Sequence, residues 1–83
     1  MTSDLTLYHT LGCHLCEQAE ALIDPVLSAR SLSWELVDIA DDDVLLEQYG
    51  MRIPVLKRWC DGAELGWPFD AASLTAWLAV GCE

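Results

Sequence analysis

Apolar and polar side chains alternate from Leu5 to His9, with Leu5 and Leu7 on one face, and this two-residue period predicts a short strand. Gly12 breaks it, and beyond the break the period changes. Ala19, Leu22, Ile23, Val26 and Leu27 fall at i, i+3, i+4, i+7 and i+8, one continuous apolar stripe on a helix that begins at the Cys13–Cys16 segment. Pro25 lies inside that stripe. A proline lacks a backbone donor and its ring crowds the carbonyl four residues back, so a kink or break is expected near Asp24. Ser33 to Ile39, rich in Trp34, Leu36, Val37 and Ile39, predicts a second strand. Asp41-Asp42-Asp43 then supplies a cap and a negative first turn for a helix through Tyr49, with Gly50 as its stop. Helix capping accounts for the acidic triplet without a metal.

Pro54 to Trp59 predicts a third strand, Asp61-Gly62 a two-residue hairpin turn, and Ala63 to Trp67 a fourth strand. Pro68 and Asp70 introduce a last helix that buries Leu74, Trp77 and Leu78. The order βαβαββα implies an α/β fold, a four-stranded mixed sheet flanked by helices. The 83 residues suffice for one domain, 1–83, with no linker, repeat or low-complexity segment.

Charge narrows the range of partners. Fourteen acids face four bases for a net charge of -10, and the isoelectric point is about 4.2. A nucleic acid partner is not expected, because phosphate binding needs clustered Lys and Arg. No apolar run reaches the length of a membrane span, and the N-terminus carries Asp4 where a secretory leader would be basic. A cytoplasmic monomer without a membrane association is the expectation.

The four cysteines carry the chemistry. Cys13 and Cys16 form one C-x-x-C, while Cys60 and Cys82 stand alone, read as bystander thiols. A structural zinc site would want a second close pair or paired histidines, which His9 and His14 do not obviously supply. One C-x-x-C at a strand-to-helix junction reads first as a redox pair. The thiolate is the nucleophile in disulfide exchange, and a helix N-terminus favours an anion through its unpaired N–H groups and dipole. Cys13 sits there and is expected to attack. Cys16, nearly one turn on and inside the helix, is expected to resolve the mixed disulfide. His14 either stabilises the thiolate when protonated or is an exposed first-turn residue, and Glu17 and Glu20 would oppose the first effect.

Cys13-His14-Leu15-Cys16 after a strand, Ile53-Pro54-Val55 opening another, and Gly66 and Asp70 before the last helix together resemble the glutaredoxins, of the thioredoxin fold. The chain is most similar to short bacterial glutaredoxin-like proteins with a C-H-L-C motif, over about Leu5 to Leu78. The resemblance implies a dithiol–disulfide oxidoreductase acting on protein or glutathione mixed disulfides and recycled by glutathione or a thioredoxin reductase, with no bound cofactor. It implies a cis peptide before Pro54, and an Ile53 backbone that pairs with an extended substrate through its N–H and C=O. His14, Arg52, Ile53, Pro54, Gly66 and Asp70 would then line the substrate site, with Asp70 receiving the glutathione amine. Three departures weaken glutathione recognition: His14-Leu15 replaces Pro-Tyr, Thr10 replaces a lysine, and Gly66-Trp67 with Pro68 replaces a glycine pair. Arg52 is the candidate to restore the lost charge. Two other readings stay open: metal binding (zinc, copper(I) or an iron–sulfur cluster) through the C-x-x-C at a dimer interface, and a redox-inactive adaptor.

Overall fold

The computed structural model describes residues 3–80. Strand β1 (Leu5–His9) leads into helix α1 (His14–Ala29), then strand β2 (Trp34–Asp38), a single 3₁₀ turn (Ile39–Asp41) and helix α2 (Asp43–Tyr49). Strands β3 (Val55–Arg58) and β4 (Glu64–Gly66) precede helix α3 (Ala71–Ala79). The sheet order is β2-β1-β3-β4, with β1 parallel to β2 and antiparallel to β3, and β3 antiparallel to β4. This mixed four-stranded sheet flanked by helices is the α/β arrangement that the element order implied, and it agrees with the thioredoxin-like fold that the resemblance implied.

The two faces of the sheet bury separate clusters. On one face Leu5, Leu7 and Leu56 pack against Ala19, Ile23 and Leu27 of α1 and Leu74 of α3. The predicted stripe of α1 is therefore the inward one, and each fully buried Leu or Ile contributes about 1.5–3 kcal/mol. The other face carries Tyr8 and Val55 against Ile39 and Tyr49, with Leu45 of α2 packed on them. Alternation along β1 thus sends Leu7 and Tyr8 to different helices.

Several boundaries differ from the sequence expectation. Helix α1 runs unbroken through Pro25. The carbonyl deprived of its donor belongs to Ala21, which is exposed, as is Pro25, so water can serve that group while the apolar stripe holds the helix together. Strand β2 stops at Asp38, whose carboxylate accepts from the Ala40 N–H at 2.9 Å and starts the 3₁₀ turn. Asp42 caps α2, accepting from Val44 and Leu45. Gly50 ends α2 in right-handed rather than left-handed geometry, and a Cβ there would collide with the Leu46 carbonyl.

Asp61-Gly62 does not form a two-residue turn. The Arg58 N–H donates to the Ala63 carbonyl at 2.8 Å, which closes a longer loop over residues 59–62. Gly62 takes the left-handed conformation at φ 73°. Asp61 Oδ1 accepts from the Ala63 N–H at 3.0 Å and from Arg58 Nε at 3.0 Å, while Oδ2 accepts from Arg58 Nη2 at 2.7 Å. Arg58 is buried, donates Nη1 to the Trp77 carbonyl at 2.7 Å and lies 4.4 Å over the Trp77 ring. It therefore ties the hairpin loop to α3.

The Arg58 guanidinium, with help from the Ala63 N–H, holds the Asp61 carboxyl down to about 2. A depressed carboxyl adds stability that is full above its unfolded value near 3.8 and is lost as pH falls toward 2. Thermal melting followed at steps between pH 5 and 2 should show a steeper fall for the native protein than for Asp61→Asn. Parallel curves would remove Asp61 from the acid response.

Candidate active site

Strand β1 delivers the chain to Thr10 and Leu11, and Gly12 turns it at φ 80°, a conformation that a residue with a Cβ adopts only at a cost. Cys13 is the N-cap of α1, extended at φ -89° and ψ 105°. Its Sγ accepts from the Cys16 N–H at 3.1 Å, and its carbonyl accepts from the Glu17 N–H at 3.1 Å. The sulfur thus occupies the place where a serine or aspartate oxygen usually caps a helix. The Cα atoms of Cys13 and Cys16 are 5.2 Å apart and the two residues are joined as a disulfide. Cys13 is half-buried, whereas Cys16 is 1% exposed on the inward face of α1. Access from solvent therefore comes through Cys13.

A cleft of about 480 Å³ reaches the motif at Leu15, the residue before Cys16. Leu15 of the motif forms one side, residues 51–53 and Val55 a second, and residues 66–68 a third. Of the residues expected at the substrate site, Arg52, Ile53 and Gly66 line this cleft together. A Cβ built on Gly66 meets nothing within 4 Å, so a ligand has room beside the strand. Pro54 is buried behind the wall, and its carbonyl accepts from the Trp67 N–H at 3.2 Å. Both Ile53–Pro54 and Trp67–Pro68 peptide bonds are cis.

Three expected contributions take a different form. The Ile53 N–H, expected to face an extended substrate, donates to the Tyr49 carbonyl at 3.1 Å, because α2 ends just before it. The His14 ring is 92% exposed and its Nδ1 lies 3.4 Å from Glu17 Oε2, so it points along the first turn of α1. Asp70 caps α3, with Oδ1 accepting from the Ser73 N–H at 2.7 Å, and that bond holds its carboxyl below the usual range. Cys60 is disulfide-bonded rather than a bystander thiol, and Cys82 lies outside the described residues.

A polar chain behind the cleft has no counterpart in the sequence reading. The Tyr8 and Tyr49 rings stack with centroids 4.4 Å apart. The Tyr49 hydroxyl donates to Glu64 Oε2, and Arg52 Nη2 donates to Glu64 Oε1 at 2.9 Å. The Arg52 guanidinium also lies 5.1 Å from the Tyr49 ring centre. Burial, and then the bond to Glu64, push the Tyr49 phenol well above its ordinary value, so it stays a donor. The same bond holds the Glu64 carboxyl below its ordinary value and keeps it charged. The signal that could have revealed this chain was weak: Glu64 stands in the short fourth strand and Arg52 in the turn after α2, with nothing local to pair them.

The comparisons with known proteins agree with this geometry. The family described as Glutaredoxin-like domain (DUF836) matches residues 4–79. The crystal structure of the structural-genomics target protein XcR50 from X. campestris shares 46% identity over 94% of this chain and 99% of its own, with a TM-score of 0.78. The solution structure of the same target gives 44% identity, 98% and 97% coverage and a TM-score of 0.76. The solution structure of Ne2328 from Nitrosomonas europaea shares 27% identity, covers 93% of this chain and 92% of its own, and has a TM-score of 0.75. No curated protein matches the chain.

Proposed function

The chain belongs to the Glutaredoxin-like domain family, and from that premise we propose that it is a dithiol–disulfide oxidoreductase of the cytoplasm that works through Cys13 and Cys16. The observation that carries this reading is the sulfur of Cys13 at the N-cap of α1, accepting the Cys16 N–H at 3.1 Å. A cap sulfur is stabilised as an anion by that N–H and by the helix dipole, and the thiolate is the form that attacks.

In the reduced protein the Cys13 thiolate attacks one sulfur of a substrate disulfide. A new bond joins Cys13 to that sulfur, and the other substrate sulfur leaves as a thiolate that takes up a proton. Cys16, deprotonated, then attacks the Cys13 sulfur and releases the second substrate thiol. The substrate gains two electrons and the Cys13–Cys16 disulfide is restored. A thiol or dithiol reductant, glutathione or a thioredoxin reductase, returns the pair to its reduced form. The substrates are protein or glutathione mixed disulfides, and the working unit is a monomer.

Metal binding has less support. Among the described residues no three His, Cys, Asp or Glu side chains gather as a ligand set, so the pair would need donors from beyond those residues. No helix among them is long and apolar enough to cross a membrane.

Titration tests the reading directly. In the reduced protein Cys13 should ionise below the ordinary thiol value near 8.5 and Cys16 should not. Thiolate absorbance against pH in the two single Cys→Ser variants would show the separation. A Cys13 curve matching a model thiol would remove the basis of the mechanism.

A further inference from the structure

The cleft that Leu15 borders is lined mostly by apolar side chains. Leu15 is 47% exposed and Met51 102%, and both side chains line the cleft and stand in solvent. Trp67 and Pro68 continue the same wall. Large exposed apolar groups gathered in one place mark a surface that is covered in use. Arg52 is the charged residue lining this cleft, and its guanidinium is engaged by Glu64. Glu64 is in turn held by the Tyr49 hydroxyl, whose ring is buried and stacked on Tyr8.

An anion that approaches Arg52 therefore meets a carboxylate already in place. We infer that Glu64 is a specificity-determining residue: by engaging Arg52 it cancels the cationic wall of the cleft, so that the cleft takes a polypeptide disulfide flanked by apolar side chains and rejects acidic ones. This rests on the redox reading of Cys13 and Cys16 and names the substrate class of that site. Attraction to apolar flanks comes from covering Leu15, Met51 and Trp67, and acidic flanks are disfavoured because Arg52, already paired with Glu64, offers them no free cation in exchange for their lost hydration.

The test uses two synthetic peptides with the same internal disulfide, one flanked by leucine and valine and the other by aspartate and glutamate. Dithiothreitol-reduced protein is mixed with each, and peptide reduction is followed over a range of concentrations. The apolar peptide should be favoured about tenfold or more in kcat/KM, with the difference carried by KM. Glu64→Gln should narrow that ratio several-fold. Asp24→Asn, which removes the same charge from the exposed side of α1, should leave the ratio where it was, which separates the cleft from the overall charge of the chain. Met51→Asp, at a fully exposed position outside the core, should reduce use of the apolar peptide about tenfold through KM. Reduction of both peptides at equal kcat/KM overturns the inference alone. An equal response of the ratio to Glu64→Gln and Asp24→Asn also overturns it. Failure to reduce either peptide or bis(2-hydroxyethyl) disulfide overturns the redox reading and the inference together.

Discussion

Cys13→Ser should abolish disulfide exchange, while Cys16→Ser should keep the attack and strand the substrate as a mixed disulfide on Cys13. A serine hydroxyl at the helix cap does not ionise at neutral pH, so the first variant has no nucleophile. In the second the attacking sulfur keeps its place on the surface side of the pair, and the buried resolving sulfur is gone. Mass spectrometry of each reduced variant after mixing with a disulfide peptide would show the adduct, and dithiothreitol would release it. The Cys16→Ser adduct should approach one per chain and the Cys13→Ser adduct should be nearly absent. Equal trapping by both would reverse or erase the assigned roles. Cys60→Ser should leave the exchange rate unchanged, because Cys60 is at the far end of β3, beyond Arg58, whereas the cleft gathers at Val55.

Arg58→Ala should lower stability by about 2–4 kcal/mol, the loss of a charge-assisted bond to the Trp77 carbonyl together with its stacking on the Trp77 ring. The substitution also removes the link between the hairpin loop and α3 and leaves the carbonyl it served in a half-buried place. In a domain of this size one kcal/mol moves the melting temperature by about 4–8 °C, so a drop of roughly 8–32 °C is expected. Arg58→Lys should recover a minor part, because one ammonium cannot make the forked pair with Asp61 and reach Trp77 at once. Thermal unfolding followed by circular dichroism measures both. A change below about 3 °C in Arg58→Ala would mean that the loop and α3 are held by the apolar contacts alone.

Most of the architecture was legible because it is written in local periodicity. Leu5 and Leu7 alternate, the stripe from Ala19 to Leu27 repeats at helical spacing, and Asp42 and Asp70 are caps with apolar residues behind them. Where local rules competed with tertiary packing, packing prevailed. Pro25 reads as a break, yet its neighbours Ile23 and Leu27 are fully buried and keep the helix whole. Asp61-Gly62 reads as a tight turn, yet Asp61 is engaged by Arg58 and the loop opens to accommodate that pair. An arginine in a strand reads as surface, so nothing in the sequence pointed to Arg58 as a buried tie.

The candidate site was legible in proportion to its compactness along the chain. Cys13 and Cys16 form a motif, and Ile53-Pro54 and Gly66 could be set against it by order and distance. The Tyr49–Glu64–Arg52 chain could not, since Glu64 on β4 is remote in sequence from Tyr49 and Arg52, which adjoin each other at the end of α2. The resemblance to glutaredoxins aims the Ile53 N–H at a substrate, whereas its proximity to the end of α2 turns that donor inward.

The sheet order has a bearing on how the molecule is made. Strand β1 lies in the middle of the sheet, paired on one side with β2 and on the other with β3. As the chain leaves the ribosome from its N-terminus, β1, α1 and β2 are complete while β3 is still unsynthesised, so one edge of β1 stays open through that interval. Cys13 and Cys16, the proposed nucleophile and its resolving partner, belong to this early half. The wall at Met51 to Val55 and the wall at Gly66 to Pro68 belong to the late half. The proposed reactive pair is thus encoded before the cleft, and the nascent chain carries both thiols before that cleft exists. A cell making this protein has reason to close β3 onto β1 quickly, and the shortness of the β3–β4 hairpin, with Arg58 fastening it to α3, serves that end.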